Sequence, residues 1–298
     1  MDKDWVDDKI VYDLIKGLIE VIKDFRKIPN VKIVIALRTN ILNKVFKKNL
    51  SRGIQREKYE HLYLKIEWDS NDLRNLINNR LSVLMRGQYS QKPPTIDEIL
   101  PKSTKKFQSG FDYILERTLL RPRDLISYFN ILMKNSNGNT SIPRDVIKKS
   151  EREYSIGRLH ALDDEWLENF GSLEVLYSFL KSGHHSFTID DISEKTKDIF
   201  FDNVVNNEIE KLNNNLQDSF NNFVKNLELS PLIQQVLIIL YEVGIIGIKV
   251  SPIDSIDFVI KSVSYSEEDL EMTSRFYVHK MVHKALRIKS TKPKHNMT

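Results

Sequence analysis

The pattern of apolar and polar positions at the start of the chain predicts a helix followed by a strand. Between Asp8 and Lys27 apolar residues recur every three or four positions, which is the spacing of an amphipathic helix. Pro29 then interrupts the pattern, and the β-branched run at 31–37 is typical of a buried, parallel strand. Residues 61–68 alternate as a second strand would. We therefore expect a partial α/β core over residues 1–68, part of a P-loop NTPase sheet.

The middle of the chain predicts helices only. Ser70 is placed to cap a helix that carries an apolar stripe up to Arg86. Further helical segments are predicted around 96–100, 107–120, 122–134 and 144–162, with a turn at 135–139. This pattern predicts a helical lid domain over residues 69–162.

The last part of the chain, 163–298, predicts helices at 166–181, 196–228 and 231–243, the last of them stopped by Gly244. A strand at 245–250, a polar excursion, a strand at 275–279 and a short helix ending at Leu286 follow. Helix, strand, wing and strand is the layout of a winged helix. The predicted fold is thus mainly α, with a partial α/β core and a C-terminal winged helix.

Composition narrows the class of protein. Hydrophobic residues make up 41% and charged residues 29%, which excludes a wholly disordered or fibrous chain. No apolar run approaches the roughly 18 residues of a membrane-spanning helix, and the acidic N-terminus does not resemble a signal peptide. The absence of cysteine excludes disulfides, thiolate zinc sites and cysteine nucleophiles. We expect a cytoplasmic protein without a membrane partner.

The charge is divided unevenly along the chain. Residues 1–150 carry 29 Lys and Arg against 18 Asp and Glu, a net charge of +11, whereas residues 151–298 carry 16 against 23, a net charge of −7. The C-terminal segment is nevertheless basic, and its candidate contacts to nucleic acid are Arg275, Lys280, Lys284, Arg287 and Lys289. The alternative is that this segment is simply a solvated basic tail.

Several short strings, taken in order, resemble one family. They are Asp2 to Trp5, Ala36-Leu37-Arg38-Thr39-Asn40, Ile66-Glu67-Trp68, Arg121-Pro122-Arg123-Asp124-Leu125, and the region from Tyr154-Ser155 and Arg158 to Asp164-Glu165-Trp166. Together they resemble the C-terminal half of bacterial P-loop ATPases of the AAA+/STAND type. The resemblance implies a partial nucleotide-binding core, a helical lid and a winged helix.

The resemblance also implies roles for particular residues. Arg38 corresponds to a sensor of the γ-phosphate, and Arg121 and Arg123 correspond to lid arginines that sense nucleotide. Asp2 lies in the place of the second acid of the Walker B segment, which would align the attacking water. Other interpretations stay open: Arg38 could pair with a carboxylate, Arg123 and Asp124 could form salt bridges within the domain, and Asp2 could be an ordinary terminal acid.

One departure from the family limits the expected activity. A P-loop ATPase needs a glycine-rich loop ending in Lys-Ser or Lys-Thr, and the ten glycines of this chain form no such loop. We therefore expect no ATP hydrolysis by the chain alone. ATP and magnesium would bind only if a missing segment or a partner supplies the phosphate-binding loop. The predicted function is that of a nucleotide-sensing lid and interaction module, with a protein partner or further copies of the chain, and a role in bacterial defence is implied by the habits of STAND ATPases.

The alternative function is nucleic-acid binding through the winged helix, without nucleotide chemistry. The predicted recognition helix, 231–241, carries no cation, and the excursion between the strands is acidic at Glu267, Glu268, Asp269 and Glu271, which argues against ordinary groove insertion. His279 and His283 have the i, i+4 spacing of metal ligands, but the residues between them offer no third ligand, so no metal site is predicted.

Overall fold

The computed structural model describes residues 8–25, 27–37, 41–42, 45, 61–85, 93–136, 138–139, 141–206, 214–226, 229–259, 265, 270 and 274–290. The chain divides into two compact units, Met1–Glu67 and Trp68–Thr298. The described residues are mainly helical, which confirms the predicted mainly α class. None of the described helices is long and apolar enough to cross a membrane.

The first unit contains the predicted N-terminal helix α1 (Asp8–Phe25). The two predicted strands are not observed: the described residues at 27–37 and 61–69 have no regular secondary structure. A strand is formed by pairing with a neighbour, and the described residues of this unit supply no partner. Accordingly Val34 is 82% exposed and Leu64 is 89% exposed, although both belong to the apolar face that predicted burial.

The described residues of the second unit begin with the helices α2 (Ser70–Met85), α3 (Ile96–Ile99), α4 (Gly110–Leu115), α5 (Pro122–Ser136) and α6 (Arg144–Phe170). The N-cap of α2 is Asp69 rather than the predicted Ser70. The Asp69 carboxylate accepts hydrogen bonds from the backbone N–H groups of Asn71 and Asp72 at 2.7 and 2.8 Å. A carboxylate in that position satisfies amides that the helix leaves unpaired.

Helix α6 continues for 27 residues, well beyond the predicted end at residue 162. Leu159, Leu162, Trp166 and Phe170 extend its buried face at helical spacing, and the helix is unbroken through the acidic residues between them. Asp164 and Glu168 are exposed, whereas Asp163 is half-buried and accepts a hydrogen bond from the Tyr177 hydroxyl at 3.2 Å. The helix ends at Gly171, whose φ of +71° favours a residue without a Cβ atom.

After α6 the described residues form further helices and three short strands. In order they are α7 (Leu173–Tyr177), β1 (Ser186–Phe187), α8 (Glu194–Asn206), α9 (Asn214–Asn226), α10 (Leu229–Glu242), β2 (Ile246–Lys249), β3 (Arg275–Val278) and α11 (His283–Leu286), with 3₁₀ turns at Ser178–Leu180, Ile189–Asp191 and Lys280–Val282. The described residues of the run predicted at 196–228 are helical, in α8 and α9. Strand β1 was not predicted, because two residues are too few to show an alternating pattern.

The three strands form an antiparallel sheet in the order β1-β3-β2. Ser186 lies opposite Tyr277, and Ile246 lies opposite Val278. Helix α10 leads into β2 through Gly244, whose φ is +84°. The sheet therefore joins a strand that precedes α8 to the hairpin that follows α10.

Helix α6 connects the helical part of the second unit to the sheet. On one side Tyr154 stacks on Tyr128 of α5 with the ring centroids 4.6 Å apart. On the other side the Ser155 hydroxyl accepts a hydrogen bond from the backbone N–H of Ala285 in α11 at 3.1 Å. Both contacts involve buried or partly buried groups within one continuous hydrophobic core, so α6 packs against both α5 and α11.

Candidate nucleotide-sensing site

The candidate site lies at the start of α5. Arg121 precedes the helix, Pro122 is its first residue and Arg123 follows. Proline suits this position because its ring fixes a helical φ and because the first amides of a helix have no partner within it. Asp124 is 1% exposed, and its Oδ2 accepts a hydrogen bond from the backbone N–H of Leu119 at 3.2 Å. This contact holds the turn that leads into the helix.

Charged side chains of α6 face this turn. Arg158 Nε lies 3.4 Å from Asp124 Oδ1, and Arg158 Nη2 lies 3.7 Å from Glu165 Oε2. Glu165 Oε1 lies 3.5 Å from Arg121 Nη1. Two arginines and two carboxylates thus form one chain of ion pairs, which we call the α5–α6 charge network, and its formal charges cancel.

The inner part of the α5–α6 charge network is almost completely buried. The side chains of Arg158 and Asp124 are 4% and 1% exposed, yet Arg158 Nε and Asp124 Oδ1 have no well-aligned hydrogen-bond partner. Their attraction is therefore mainly coulombic, and loss of either partner would leave an uncompensated buried charge. The nearby Tyr154 hydroxyl is also buried without a hydrogen bond, and burial, together with the charge of Asp124, raises the pKa of Tyr154 well above its ordinary value.

Arg123 differs from the other charged residues at this place. Its side chain is exposed, and within the described part of the chain no carboxylate lies within 4.0 Å of it. The alternative prediction was that salt bridges form within the domain. Asp124 and Arg121 do form such salt bridges, with residues of α6, whereas Arg123 forms none among the described residues. The structure thus presents one unpaired guanidinium beside the N-terminus of a 15-residue helix.

The other two residues predicted for nucleotide chemistry, Asp2 and Arg38, lie outside the described residues. The structure therefore places neither of them relative to Arg121 and Arg123.

The predicted nucleic-acid contacts fall into two groups. Lys280, Lys284, Arg287 and Lys289 are exposed in the segment that follows β3. Lys280 is also bound within the molecule, because its Nζ donates to Glu116 Oε2 at 2.6 Å. Burial of Glu116 tends to raise the pKa of its carboxyl, but the hydrogen bonds from Lys280 and Gln108 outweigh that effect and lower it.

Arg275 lies in β3, directly opposite Lys249 in β2. Both residues are half-buried, and like charges in opposing strand positions repel each other. A bound anion between these strands would relieve that repulsion.

The histidine pair is engaged in the fold. His279 is 7% exposed, and its Nδ1 accepts a hydrogen bond from the backbone N–H of Met281 at 3.2 Å. A ring nitrogen of His283 lies 2.9 Å from the carbonyl oxygen of Val278. Among the residues that the structure describes, no three His, Cys, Asp or Glu side chains are grouped as metal ligands.

Sequence reasoning did not assign roles to Arg158 and Glu165, although both fall in a string that carried the family resemblance. The available signal was the spacing of Tyr154 and Arg158, which places them on one face of a helix. What the sequence does not contain is the neighbour: Asp124 is 34 positions away from Arg158 along the chain and 3.4 Å away in space.

The helical part of the second unit is similar to a known protein family. Residues 71–163 match the FunZ-associated C-terminal helical domain. This stretch runs from α2 into α6 and includes Arg121, Arg123 and the buried members of the α5–α6 charge network.

Two curated proteins are similar in sequence. The transposon gamma-delta 80.3 kDa protein of Escherichia coli (strain K12) is 26% identical over 255 residues, which are 84% of this chain and 34% of that protein. Allergen Alt a 2 of Alternaria alternata is 27% identical over 156 residues, which are 49% of this chain and 81% of the allergen. The chain thus spans about a third of the length of the transposon protein. No solved structure is significantly similar to the chain.

Proposed function

We propose that the chain is the C-terminal portion of a P-loop ATPase of the AAA+/STAND type and acts as its nucleotide-sensing lid and interaction module. The exposed Arg123 would act as the lid arginine that senses nucleotide, and the α5–α6 charge network would transmit that contact to the C-terminal elements. The phosphate-binding loop, with ATP and magnesium, would come from a segment or a partner outside this chain.

The observation that carries the proposal is the contrast between Arg123 and its neighbours. Arg121, Asp124, Arg158 and Glu165 neutralise one another, whereas Arg123 is left exposed and unpaired among the described residues. An arginine needs no partner of its own if its partner is a phosphate, since a guanidinium binds phosphate oxygens in a forked geometry. The adjacent helix N-terminus adds backbone N–H groups and a favourable dipole for an anion.

The topology after α6 supports a winged helix as the interaction module. A helix, a strand, further helices and a hairpin follow in sequence, and the first strand pairs with the last in the order β1-β3-β2. Helix α10 would occupy the place of the recognition helix. Val236, Leu237, Ile239 and Leu240 on that helix are buried, so much of its surface already packs inside the molecule. This favours contact with protein through the module over insertion of α10 into a DNA groove.

The first experiment measures magnesium-dependent ATP turnover by the chain alone, for which we expect no rate above the blank. Turnover that Arg123→Ala abolishes would contradict the proposal that the site is incomplete. The coding DNA upstream of the chain should then be searched for a glycine-rich loop with Lys-Ser or Lys-Thr. In a protein or complex that contains such a loop, we expect Arg123→Ala to lower ATP turnover on the order of 10²-fold, as loss of a transition-state donor does.

Arg152→Ala is the matched control for that experiment, because Arg152 is an exposed arginine on α6 away from the start of α5. It should leave turnover unchanged. Both variants should keep the melting temperature of the parent protein, since both side chains are exposed. An equal loss of turnover in the two variants would argue against a specific role of Arg123.

The second candidate function is nucleic-acid binding through the C-terminal segment. It is favoured by the opposed cations Lys249 and Arg275 and by the exposed Lys284, Arg287 and Lys289. Neutralisation of phosphates by such a group would supply affinity without base specificity.

A further inference from the structure

A second place in the molecule has the chemistry of a binding site. A cavity of about 290 Å³ lies between the segment that precedes α4 and the first turns of α6. Its lining includes Lys106, Phe107, Tyr113, Arg144, Ile147 and Lys148. None of the residues of the candidate nucleotide-sensing site lines it.

Arg144 gives the cavity a fixed wall. Its Nη1 and Nη2 donate to the carbonyl oxygens of Gln108 and Lys102 at 2.8 and 2.7 Å. Its guanidinium also lies over the ring of Phe107, 5.1 Å from the centroid. In the same segment the backbones of Thr104 and Phe107 pair with each other at 2.8 and 3.2 Å. The wall is therefore held in place before any ligand binds, which lowers the entropic cost of binding.

The lining is positively charged. It includes three cations and no carboxylate. Lys106 and Lys148 are exposed and have no carboxylate within 4.0 Å among the described residues, while Arg144 is bonded to neutral carbonyls and keeps its charge.

The acids nearest in sequence do not cancel this charge. Glu151 is bound by the Tyr113 hydroxyl at 2.6 Å and by Arg117 Nε at 2.8 Å. Asp112 Oδ1 lies 4.0 Å from Arg74 Nη2, and Asp112 also accepts a hydrogen bond from the Ser109 hydroxyl at 2.6 Å. Asp145, next to Arg144, is exposed and is not part of the lining. A ligand that enters the cavity thus meets an excess of positive charge.

The same cavity offers a flat apolar surface. Phe107 is 53% exposed, and the Arg144 guanidinium lies 5.1 Å from the centroid of its ring. Exposed aromatic rings beside lysines form the sites at which proteins stack the bases of nucleotides and hold their phosphates. The buried Ile147 completes the apolar side.

We propose that this cavity binds one nucleotide unit, with its base against Phe107 and its phosphate between Lys106 and Lys148. The nucleotide could be free in solution or part of a single strand of nucleic acid, since both present the same base and phosphate. This site is separate from Arg123 and does not depend on the function proposed above.

The test is equilibrium binding to the full chain by fluorescence anisotropy at low ionic strength. The probes are a fluorescently labelled mononucleotide and a short labelled oligothymidylate. We expect the double substitution Lys106→Ala with Lys148→Ala to weaken binding on the order of 10-fold. Phe107→Leu should weaken it about 5-fold or more, as loss of one stacking platform does. Because all three side chains are exposed, we expect the variants to fold as the parent protein does, and circular dichroism would verify this.

The matched control is the double substitution Lys149→Ala with Lys195→Ala, which removes the same charge from exposed lysines that do not line the cavity. Binding should stay within about 2-fold of the parent protein, because exposed lysines away from a site act only through weak, screened interactions. If the oligonucleotide binds and the mononucleotide does not compete, the source is single-stranded nucleic acid. If both bind through the cavity residues, a free nucleotide suffices.

Three results would overturn the proposal. The first is that neither probe binds at low ionic strength. The second is that the control weakens binding as much as the cavity variants, which would show diffuse attraction to the basic half. The third is that an acidic peptide displaces the probes from the cavity more strongly than unlabelled nucleotide does, which would assign the site to a peptide. In all three cases the proposal for Arg123 is unaffected.

Discussion

At the scale of single residues, the buried ionisable groups of the second unit differ in whether a partner of opposite charge lies beside them. Glu151 accepts hydrogen bonds from the Tyr113 hydroxyl and from Arg117 Nε, and the ring of Tyr113 also lies under the Arg117 guanidinium at 3.4 Å. His279 has no carboxylate partner and stays neutral. Burial lowers the pKa of His279 to about 3, and the positive charges of His283, Lys280, Arg158 and Arg117 act in the same direction.

The neutral His279 predicts a loss of stability in mild acid. Below the ordinary histidine pKa of 6.5 the unfolded chain takes up a proton at this position, whereas the folded protein does so only near pH 3. The free energy of unfolding should therefore fall by about 1.4 kcal/mol per pH unit as the pH decreases between these values, from this residue alone. His279→Asn keeps an acceptor for the amide of Met281 but does not titrate. Urea unfolding at pH 7 and pH 5 should show a drop smaller by about 2 kcal/mol in this variant.

The control for the pH experiment is His160→Asn, since His160 is exposed on α6. This variant should keep the pH dependence of the parent protein. If His279→Asn kept it as well, the buried histidine would not be the source of the acid sensitivity.

At the scale of elements, two glycines differ in whether the backbone conformation requires glycine. Gly244 ends α10 with a φ of +84°, and a Cβ atom there would lie 2.8 Å from Leu119 Cδ1. Gly157 lies within α6, where a Cβ atom would meet nothing within 4 Å. The first glycine is required by the turn between α10 and β2, whereas the second only adds flexibility to a helix.

We therefore expect opposite effects of alanine at the two positions. Gly244→Ala should lower the free energy of unfolding by about 1–3 kcal/mol, because alanine is strained at positive φ and would displace Leu119. Gly157→Ala should raise it by about 0.5–1 kcal/mol, because alanine is the better helix former. Chemical denaturation of both variants beside the parent checks the pair. If Gly157→Ala instead lowered the free energy of unfolding, the prediction that a Cβ atom is accommodated on that face of α6 would be wrong.

At the scale of the whole molecule, the two units differ in how far their apolar side chains are buried. Among the described residues, every buried apolar side chain other than Val45 belongs to the second unit. In the first unit, Ile10, Leu14, Val21 and Phe25 of α1 are each more than a third exposed, as are Val34 and Leu64. A sheet completed by strands from elsewhere would cover such residues, which agrees with the proposal that the core of the ATPase is shared with another segment or partner.

The charge division of the molecule supplies a test between the two candidate functions. We expect binding of duplex DNA to be weak and unaffected by the double substitution Lys284→Ala with Lys289→Ala, because residues 151–298 carry a net charge of −7. A titration of binding against salt concentration measures this. Tight binding with a steep salt dependence, made shallower by the two substitutions, would instead favour nucleic-acid binding through the C-terminal segment.

Local pattern was sufficient for much of the fold. The spacing of apolar residues predicted α1, α2, α5 and α10, and the hairpin of β2 and β3, because each pattern is contained within one element. The strands predicted at 31–37 and 61–68 were wrong for the described residues, since a strand requires a partner that its own sequence does not specify. The end of α6 predicted at residue 162 was wrong, because the buried face of the helix continues through Trp166 and Phe170.

The sequence by itself determined which residue types are present at the start of α5: two arginines, a proline and an aspartate within four positions. Only the tertiary structure decided which of these charges are already paired, because the carboxylate of Glu165 and the guanidinium of Arg158 that pair with them come from α6, tens of positions later. It also brought Phe107 together with Lys148, 41 positions apart, in one cavity. Charge and propensity are local properties of a chain, whereas pairing and burial depend on which distant segments pack together.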